Sequence, residues 1–133
     1  AVANAYFAGT EEIIPITATT IADSISVDLP RDGVRAVRAA RQTGGAYLTV
    51  TDDEIIAAIA DLGKVGIFAE PAGSTAYAGL KKALRQGVIK PDDAVVVINT
   101  GNGLKDVRAA MASVSPAPVI EPTMQALKKH LGL

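Results

Sequence analysis

The sequence predicts an α/β fold in which helices cover a parallel β-sheet. Segments that favour strand and helix alternate along the middle of the chain, which is typical of such a sheet. Residues 94–98, Ala-Val-Val-Val-Ile, form a continuous apolar run, as strands buried on both faces do. Hydrophobic residues make up 49% of the 133 residues and aromatic residues only 4%, a composition that suits helices packed on a sheet.

The elements at the start of the chain are less regular. Residues 3–8 favour a short helix that stops at Gly9, and residues 25–29 alternate like a short strand that Pro30 ends. From residue 34 to residue 42 the apolar positions have helical spacing, and Gly44-Gly45 stops this predicted helix.

A predicted strand at residues 46–50 leads directly into a helix start. Thr51 and Glu54 have the spacing of a capping box, in which each side chain bonds to the other residue's backbone N–H. The helix that follows has an apolar stripe and ends at Gly63. The stripe consists of Ile55, Ile56, Ile59 and Leu62.

Two further strand-to-helix units follow. A strand at 65–69 leaves Glu70 at its exit, and Pro71 is suited to the first turn of a helix that runs to about Gln86. The apolar run at 94–98 is the next strand, and a Thr-Gly-Asn-Gly turn separates it from another helix. The remaining predictions are a helix at 104–111, a linker at 115–119 and a last helix from about Pro122 to Leu131.

Composition excludes several classes of function. The formal net charge of −1 gives no field that would attract nucleic acid or an anionic membrane. The absence of cysteine excludes disulfides, thiolate metal sites and cysteine nucleophiles. No apolar run is long enough to span a membrane and no signal-peptide pattern occurs, so a cytoplasmic protein is expected. The chain begins without Met, which indicates a processed chain or a piece of a longer one.

Polar breaks follow two of the predicted strands, at residues 69–73 and 99–103. The carboxyl ends of parallel strands lie along one edge of a sheet, where ligands usually bind. Glu70 is therefore a candidate pocket carboxylate, or an acid placed to favour a helix N-terminus. Thr100 and Gly101 present a hydroxyl and an approachable backbone to a ligand, or they form a tight turn.

Other polar residues are weaker candidates. His130 is the single histidine, and its place near the end of the last helix favours an interaction with the helix dipole. Four arginines near one helical stripe could hold a phosphate, but a solvated face is the favoured interpretation. These are Arg31, Arg35, Arg38 and Arg41. No group of residues has metal-ligand spacing.

Several motifs resemble those of a known enzyme family. Residues 68–76, Phe-Ala-Glu-Pro-Ala-Gly-Ser-Thr-Ala, resemble a segment of the pyridoxal-phosphate (PLP) enzymes of the tryptophan-synthase β fold. Residues 100–106, Thr-Gly-Asn-Gly-Leu-Lys-Asp, resemble the threonine synthases among them, as do Thr20-Ile21-Ala22 and residues 44–55 in order and spacing. The resemblance covers the chain from Ala5 to its tail, with Asn102 where many members have His and Val107 where many have Pro.

The resemblance implies the C-terminal part of a longer enzyme, and hence a parallel-sheet PLP-enzyme domain that is incomplete in this chain. Residues 1–114 would be the C-terminal portion of the large PLP-binding domain, and 115–133 a linker with a C-terminal helix. The threonine synthases that the motifs resemble convert O-phosphohomoserine and water to threonine and phosphate. The family's Schiff-base lysine motif and its Gly-rich phosphate loop do not occur here. The isolated chain is therefore expected to be inactive and not to bind PLP alone.

The resemblance also implies roles for four residues, all toward the cofactor and none catalytic. Thr100 would hydrogen-bond the pyridine nitrogen, Glu70 would line the pocket, the backbone around Ala22 would border the reacting face, and Gly101 would let the chain pass the ring edge. The expected partner is a small-molecule substrate, with no metal, nucleic acid or membrane. Unpaired strand edges predict a homodimer or another form of self-association.

Two kinds of alternative remain open at this point. Within the same fold, a cysteate synthase is the runner-up that this stretch does not exclude, whereas a threonine dehydratase should lack the Gly-Leu-Lys-Asp segment that follows Thr100 here. Outside enzymes, the chain could be a free-standing α/β module that binds a small molecule.

Overall fold

The computed structural model describes all residues from Ala1 to Leu133, and every α-helix predicted from the sequence is present within a few residues of its expected place. Two short 3-10 helices lie at Asp23–Ile25 and Gly103–Asp106. The six α-helices are α1 (Val2–Phe7), α2 (Gly33–Gln42), α3 (Asp52–Lys64), α4 (Pro71–Arg85), α5 (Val107–Ala112) and α6 (Met124–Leu131).

The capping box predicted at the start of α3 forms with both of its hydrogen bonds. The backbone N–H of Glu54 donates to the Thr51 hydroxyl at 3.2 Å, and the Thr51 N–H donates to the Glu54 carboxylate at 3.0 Å. The bond from Thr51 is the largest cause of a lowered pKa for Glu54. Two free N–H groups of the first turn are thereby satisfied, so the helix start is fixed by its own sequence.

A small core lies where α3 packs against α4. Ile55 and Ala58 of α3 meet Ala78 of α4, and Ala22 from the loop before α2 closes the cluster. Ala58 is fully buried and the others are at most 2% exposed. Because three of the four side chains are methyl groups, the two helices and the loop approach closely without voids. This core fixes the loop around Ala22 relative to α3 and α4.

Charged side chains join the same two helices on their outer surface. Asp61 of α3 accepts hydrogen bonds from Lys64 of α3 and Lys81 of α4. The bond from Lys81 is the largest cause, and that from Lys64 the next, of an Asp61 pKa lowered to about 2. The partners are partly exposed, so the network is a surface clamp and adds modestly to the packing beneath it.

The predicted strands do not form in this structure, and the parallel sheet is not visible. Residues 25–29 begin in a 3-10 helix, and 46–50 and 94–98 are extended segments without ladder partners. The single β feature is an isolated antiparallel bridge between Ala69 and Asn102. The physical reason is that a strand's hydrogen bonds come from a neighbouring strand, whereas a helix forms its own. The segments at 46–50 and 94–98 make no backbone–backbone hydrogen bonds to other parts of the chain, and 25–29 accepts a single one, from the Ile16 N–H to the Asp28 carbonyl.

The apolar residues of these segments are consequently exposed. Val96 is 88% exposed and Ile98 74% exposed, although both belong to the most apolar run of the chain. A groove of about 470 Å³ separates residues 95–98 and 44–48 from α4, and most of its lining is hydrophobic. The face of α4 that a sheet would cover is therefore open here.

No helix of the structure combines the length and the apolar character that crossing a membrane requires.

Candidate functional site

The two polar breaks singled out in the sequence meet in the structure. The Glu70 N–H donates to the Gly101 carbonyl at 3.2 Å, and the Gly103 N–H donates to the Phe68 carbonyl at 3.0 Å. These bonds flank the bridge between Ala69 and Asn102 and join residues 68–70 to residues 101–103. We call this paired segment the junction. It places Glu70 beside the turn that follows the apolar run.

The junction depends on glycine at two positions of close approach. A Cβ at Gly101 would lie 1.7 Å from the Glu70 Oε1 atom, and the backbone there has a φ of +29°. A Cβ at Gly73 would lie 2.6 Å from the Thr100 carbonyl oxygen. Since real Cβ atoms essentially never approach other atoms closer than 3.0 Å, a side chain at residue 73 would push α4 away from the Thr100 backbone, and one at residue 101 would displace the Glu70 carboxylate.

Glu70 is a buried carboxylate with a donor for each oxygen. The residue is 6% exposed, Oε1 accepts a hydrogen bond from Lys105 Nζ at 2.7 Å, and Oε2 accepts one from the Ser24 hydroxyl at 3.4 Å. Glu70 occupies the N-cap position of α4, yet its side chain makes no capping hydrogen bond. Because a buried charge requires partners, the hydrogen bonds from Lys105 and Ser24 are the interactions that stabilise this carboxylate.

A small polar cavity of about 170 Å³ opens beside this carboxylate. Its walls include Ser24, Glu70, Lys105 and the neighbouring acids Asp23 and Asp106. A larger cavity of about 760 Å³ lies between α3 and α5. Lys64 is the only charged residue in that larger, mainly apolar lining. Of these two cavities, the smaller is the one at which polar groups able to orient a ligand converge, so we place the candidate site there.

Asp52 holds the loop that reaches this cavity. Its Oδ1 accepts a hydrogen bond from the Thr20 hydroxyl at 2.6 Å, and its Oδ2 accepts one from the Ile21 N–H at 3.2 Å. The Thr20 hydroxyl in turn accepts a bond from the Ala22 N–H at 3.1 Å. Both carboxylate oxygens are thus used to fix the loop against the first turn of α3.

The four predicted cofactor residues lie in two neighbouring places. Glu70 and Gly101 are in direct contact across the junction, and Thr100 precedes Gly101 with an exposed side chain that makes no hydrogen bond. Ala22 is 1% exposed, and the Ser24 hydroxyl two residues later connects its loop to Glu70.

The remaining candidates lie away from this cavity. His130 is exposed in the last turn of α6. Arg38 forms a bidentate pair with Glu11, which is the largest cause of a lowered Glu11 pKa, and Arg41 donates to the Thr10 carbonyl. Arg38 and Arg41 therefore tether the N-terminal segment to α2, whereas Arg35 pairs with Asp32. No cluster of His, Cys, Asp and Glu could hold a metal ion.

Sequence reasoning missed three residues of this region. Lys105 lacks the sequence context of a cofactor-binding lysine, and Ser24 lies in a segment without clear periodicity. Asp52 is adjacent to a second acid, Asp53, and a helix start explains both. The one signal in the sequence was that the first turn of α3 has more acidic residues than the capping box needs. Glu54 completes the box, which leaves Asp52 and Asp53 without an assigned partner.

Comparison with known proteins gives consistent results. Residues 1–101 match the family described as pyridoxal-phosphate dependent enzyme. The threonine synthase of Halalkalibacterium halodurans is 42% identical over 114 residues, covering 84% of this chain and 32% of the relative. The threonine synthase of Methanocaldococcus jannaschii is 42% identical over 123 residues, covering 91% and 30%. That of Mycobacterium tuberculosis is 42% identical over 118 residues, covering 86% and 32%.

The chain thus spans about a third of the length of these relatives. The family match covers more than two thirds of the chain and includes the junction up to Gly101. The resemblance inferred from the motifs at 68–76 and 100–106 is confirmed, and with it the expectation that PLP is the cofactor of the full-length enzyme. This chain belongs to the family of pyridoxal-phosphate dependent enzymes.

Proposed function

We propose that this chain forms part of a threonine synthase, which converts O-phosphohomoserine and water to threonine and phosphate. The observation that carries the proposal is the junction. It brings Glu70, from the motif of the wider PLP-enzyme fold, against Gly101, from the motif that resembles threonine synthases. The names of the most similar relatives support the same activity.

In this proposal, residues 1–114 are the C-terminal portion of the large PLP-binding domain, and residues 115–133 are a linker with the terminal helix α6. The segments at 46–50, 65–69 and 94–98 are strands of a parallel sheet that gains its other strands from the rest of the polypeptide. Support comes from the exposure of Val96 and Ile98 and from the open apolar groove beside them. Such a groove is unfavourable in water unless another apolar surface covers it.

The residues present fit one wall of a cofactor site. The polar cavity of about 170 Å³ is smaller than the 300 Å³ or more that is usual for ligand pockets, so further walls are required. The Thr100 hydroxyl is exposed and without a partner, as a group reserved for a ligand should be. Gly101 leaves no side chain at the close approach to Glu70. The expected Schiff-base lysine belongs to a motif outside this chain.

Each residue has a distinct role in the proposed site. PLP, when bound, supplies the capacity to accept electrons from the reacting carbon of the substrate. The Thr100 hydroxyl hydrogen-bonds the pyridine nitrogen, and as a neutral group it cannot stabilise a positive charge there as a carboxylate would. Glu70 lines the pocket near the ring. The backbone at Ala22, which Asp52 holds through Thr20 and Ile21, borders the reacting face.

The proposed partners are a small-molecule substrate and a second copy of the protein in a homodimer. The proposed location is the cytoplasm. Nucleic acid and membranes are not among the partners, since the net charge of −1 gives no general attraction to polyanions.

The test is an assay of the purified full-length protein, loaded with PLP and given O-phospho-L-homoserine. We expect threonine and inorganic phosphate in equal amounts, with threonine identified by mass spectrometry. O-phospho-L-serine with sulfite, and L-threonine alone, serve as parallel substrates. A Thr100→Val variant keeps the shape of the side chain without its hydroxyl, and we expect it to bind PLP but to turn over at least about tenfold more slowly.

Each alternative predicts a different product. Cysteate from O-phosphoserine and sulfite would identify a cysteate synthase. Conversion of threonine to 2-oxobutanoate would identify a dehydratase. An amino acid that binds tightly without reacting, in a protein that takes up no PLP, would support a binding module and overturn the proposal.

A further inference from the structure

The Lys105 side chain occupies a position that the proposed cofactor roles leave unexplained. Its Nζ lies 2.7 Å from Glu70 Oε1 and 3.5 Å from the Ser24 hydroxyl. The Ser24 hydroxyl is itself 3.4 Å from Glu70 Oε2. The three groups therefore form a closed triangle beside the polar cavity. The Glu70 side chain is 7% exposed and that of Lys105 is 56% exposed, so the lysine covers a carboxylate that is otherwise within the protein.

The backbone that carries Lys105 is held independently of this ion pair. The Leu104 N–H donates to the Asn102 side chain at 2.9 Å, and the Lys105 N–H donates to the Asn102 carbonyl at 3.1 Å. The Ala109 N–H donates to the Asp106 carboxylate at 2.9 Å and starts α5. Lys105 thus extends from a fixed turn, and its ammonium group reaches Glu70 without the turn having to move.

Glu70 is confined on its remaining side by Gly101. The carboxylate lies where a Cβ of residue 101 would be, so it packs directly on the backbone of the turn. With Lys105 on Oε1 and Ser24 on Oε2, the side chain has one orientation in which all contacts are satisfied. Loss of the ammonium group would leave a buried carboxylate without its strongest donor and free to rotate or to recruit water.

We propose that Lys105, assisted by Ser24, is a positioning residue that fixes the Glu70 carboxylate at the edge of the cofactor site. The inference rests on the proposed function, because it assigns meaning to Glu70 as a group beside the cofactor ring. Lys105 acts through Glu70, whose Oε1 atom it contacts. Its effect is on the orientation of the bound cofactor and hence on the turnover step, since small displacements of a reacting centre are costly.

The experiment compares Lys105→Met, Lys105→Arg and Ser24→Ala in the full-length holoenzyme. Lys81→Met is the matched control, because this substitution also removes a lysine from an ion pair, the one with Asp61 on the outer surface of α3 and α4. The measurements are kcat, KM, the circular dichroism of the bound PLP in its absorption band, and Tm. The PLP signal reports on cofactor orientation whether or not threonine is formed.

We expect Lys105→Met to lower kcat by about 10- to 100-fold with KM changed less than about threefold. The PLP dichroism should change, Lys105→Arg should recover part of both signals, and Ser24→Ala should have a smaller effect in the same direction. Lys81→Met should leave kcat and the dichroism at wild-type values and lower Tm less than Lys105→Met does, because Asp61 is more exposed than Glu70.

Two outcomes would overturn the inference. The first is a Lys105→Met enzyme whose kcat and PLP dichroism equal those of Lys81→Met, since the lysine would then be structural only. The second is a wild-type protein that takes up no PLP, which would remove the cofactor site itself. A wild type that binds PLP but forms no threonine would refute the proposed activity alone, and the dichroism of Lys105→Met would still decide the inference.

Discussion

The pair of helices α3 and α4 and the more apolar extended segments at 46–50 and 94–98 have opposite fates in this structure. The helices bury Ile55, Ala58 and Ala78 in a shared core. The segments leave Val96 at 88% exposure. The difference teaches that hydrophobicity alone does not complete an element, because a strand also requires a neighbour for its backbone.

The helices are complete because each of their requirements is met nearby. The capping box satisfies N–H groups at the start of α3, the Asp61 network joins α3 to α4, and Pro71 begins α4 where its missing N–H has no cost. The extended segments need hydrogen-bond partners that no nearby residue provides. The comparison therefore separates the helices, which nearby residues stabilise, from the strands, which require residues far away in the sequence.

If our proposed sheet is right, the difference between the helices and the segment at 94–98 should disappear in the full-length protein. Amide hydrogen exchange measures this. We expect the amides of residues 94–98 to be protected by at least about 1,000-fold relative to an unfolded chain, similar to the interior amides of α3. A sheet would give them acceptors that they lack here. Exchange near the unfolded rate at 94–98, with α3 still protected, would contradict the sheet. The α3 amides are the internal control within the same sample.

A side chain at Gly101 would have the next largest effect. We expect Gly101→Ala to lower the free energy of unfolding of the full-length protein by about 3 kcal/mol, because its Cβ would collide with Glu70 and its backbone has a positive φ. Chemical denaturation with guanidinium chloride measures the change.

Gly63→Ala is the control for this substitution. Gly63 lies in α3, and a Cβ there would meet nothing within 4 Å. We expect this variant to gain up to about 1 kcal/mol, since alanine favours a helix over glycine. Equal effects of the two substitutions would mean that the junction does not require close approach at residue 101.

The smallest effect concerns Asp61 and its dependence on pH. Its pKa is lowered from 3.8 to about 2 in the folded protein, chiefly by the hydrogen bond from Lys81. The stabilising contribution is therefore present above about pH 4 and is lost as the pH falls through about 2. We expect the Tm of Asp61→Asn to be slightly lower than wild type at pH 7, with the difference shrinking between about pH 4 and pH 2. A difference that persists unchanged at pH 2 would refute the ion-pair origin, and Asp53→Asn is the exposed control.

The sequence predicted the helices well and the contacts of the site only in part. Helix starts are encoded locally, so the capping box at Thr51 and the helix start at Pro71 were correctly placed. The prediction that the breaks at 69–73 and 99–103 meet followed from the shared edge of a parallel sheet, whereas the structure joins them by an antiparallel bridge. Their proximity agrees with the expectation of a shared edge, although the parallel sheet behind that expectation is not visible in this structure.

The side-chain contacts of Lys105, Ser24 and Asp52 could not be predicted because each joins residues far apart in sequence. Lys105 and Ser24 are separated by 81 positions, and Asp52 and Thr20 by 32. No periodicity or spacing rule relates such positions. Only the folded backbone shows that the Ser24 loop and the turn at 101–105 converge on the Glu70 carboxylate.

The bridge between Ala69 and Asn102 also has a practical consequence for protein engineering. It closes a loop that contains all of α4 and the exposed stretch from Gly87 to Asp93. The entropic cost of a flexible loop rises only logarithmically with its length, by about 0.6 kcal/mol for each doubling. A short peptide tag inserted at this stretch would therefore change the stability of the protein little, and it would provide a handle for labelling.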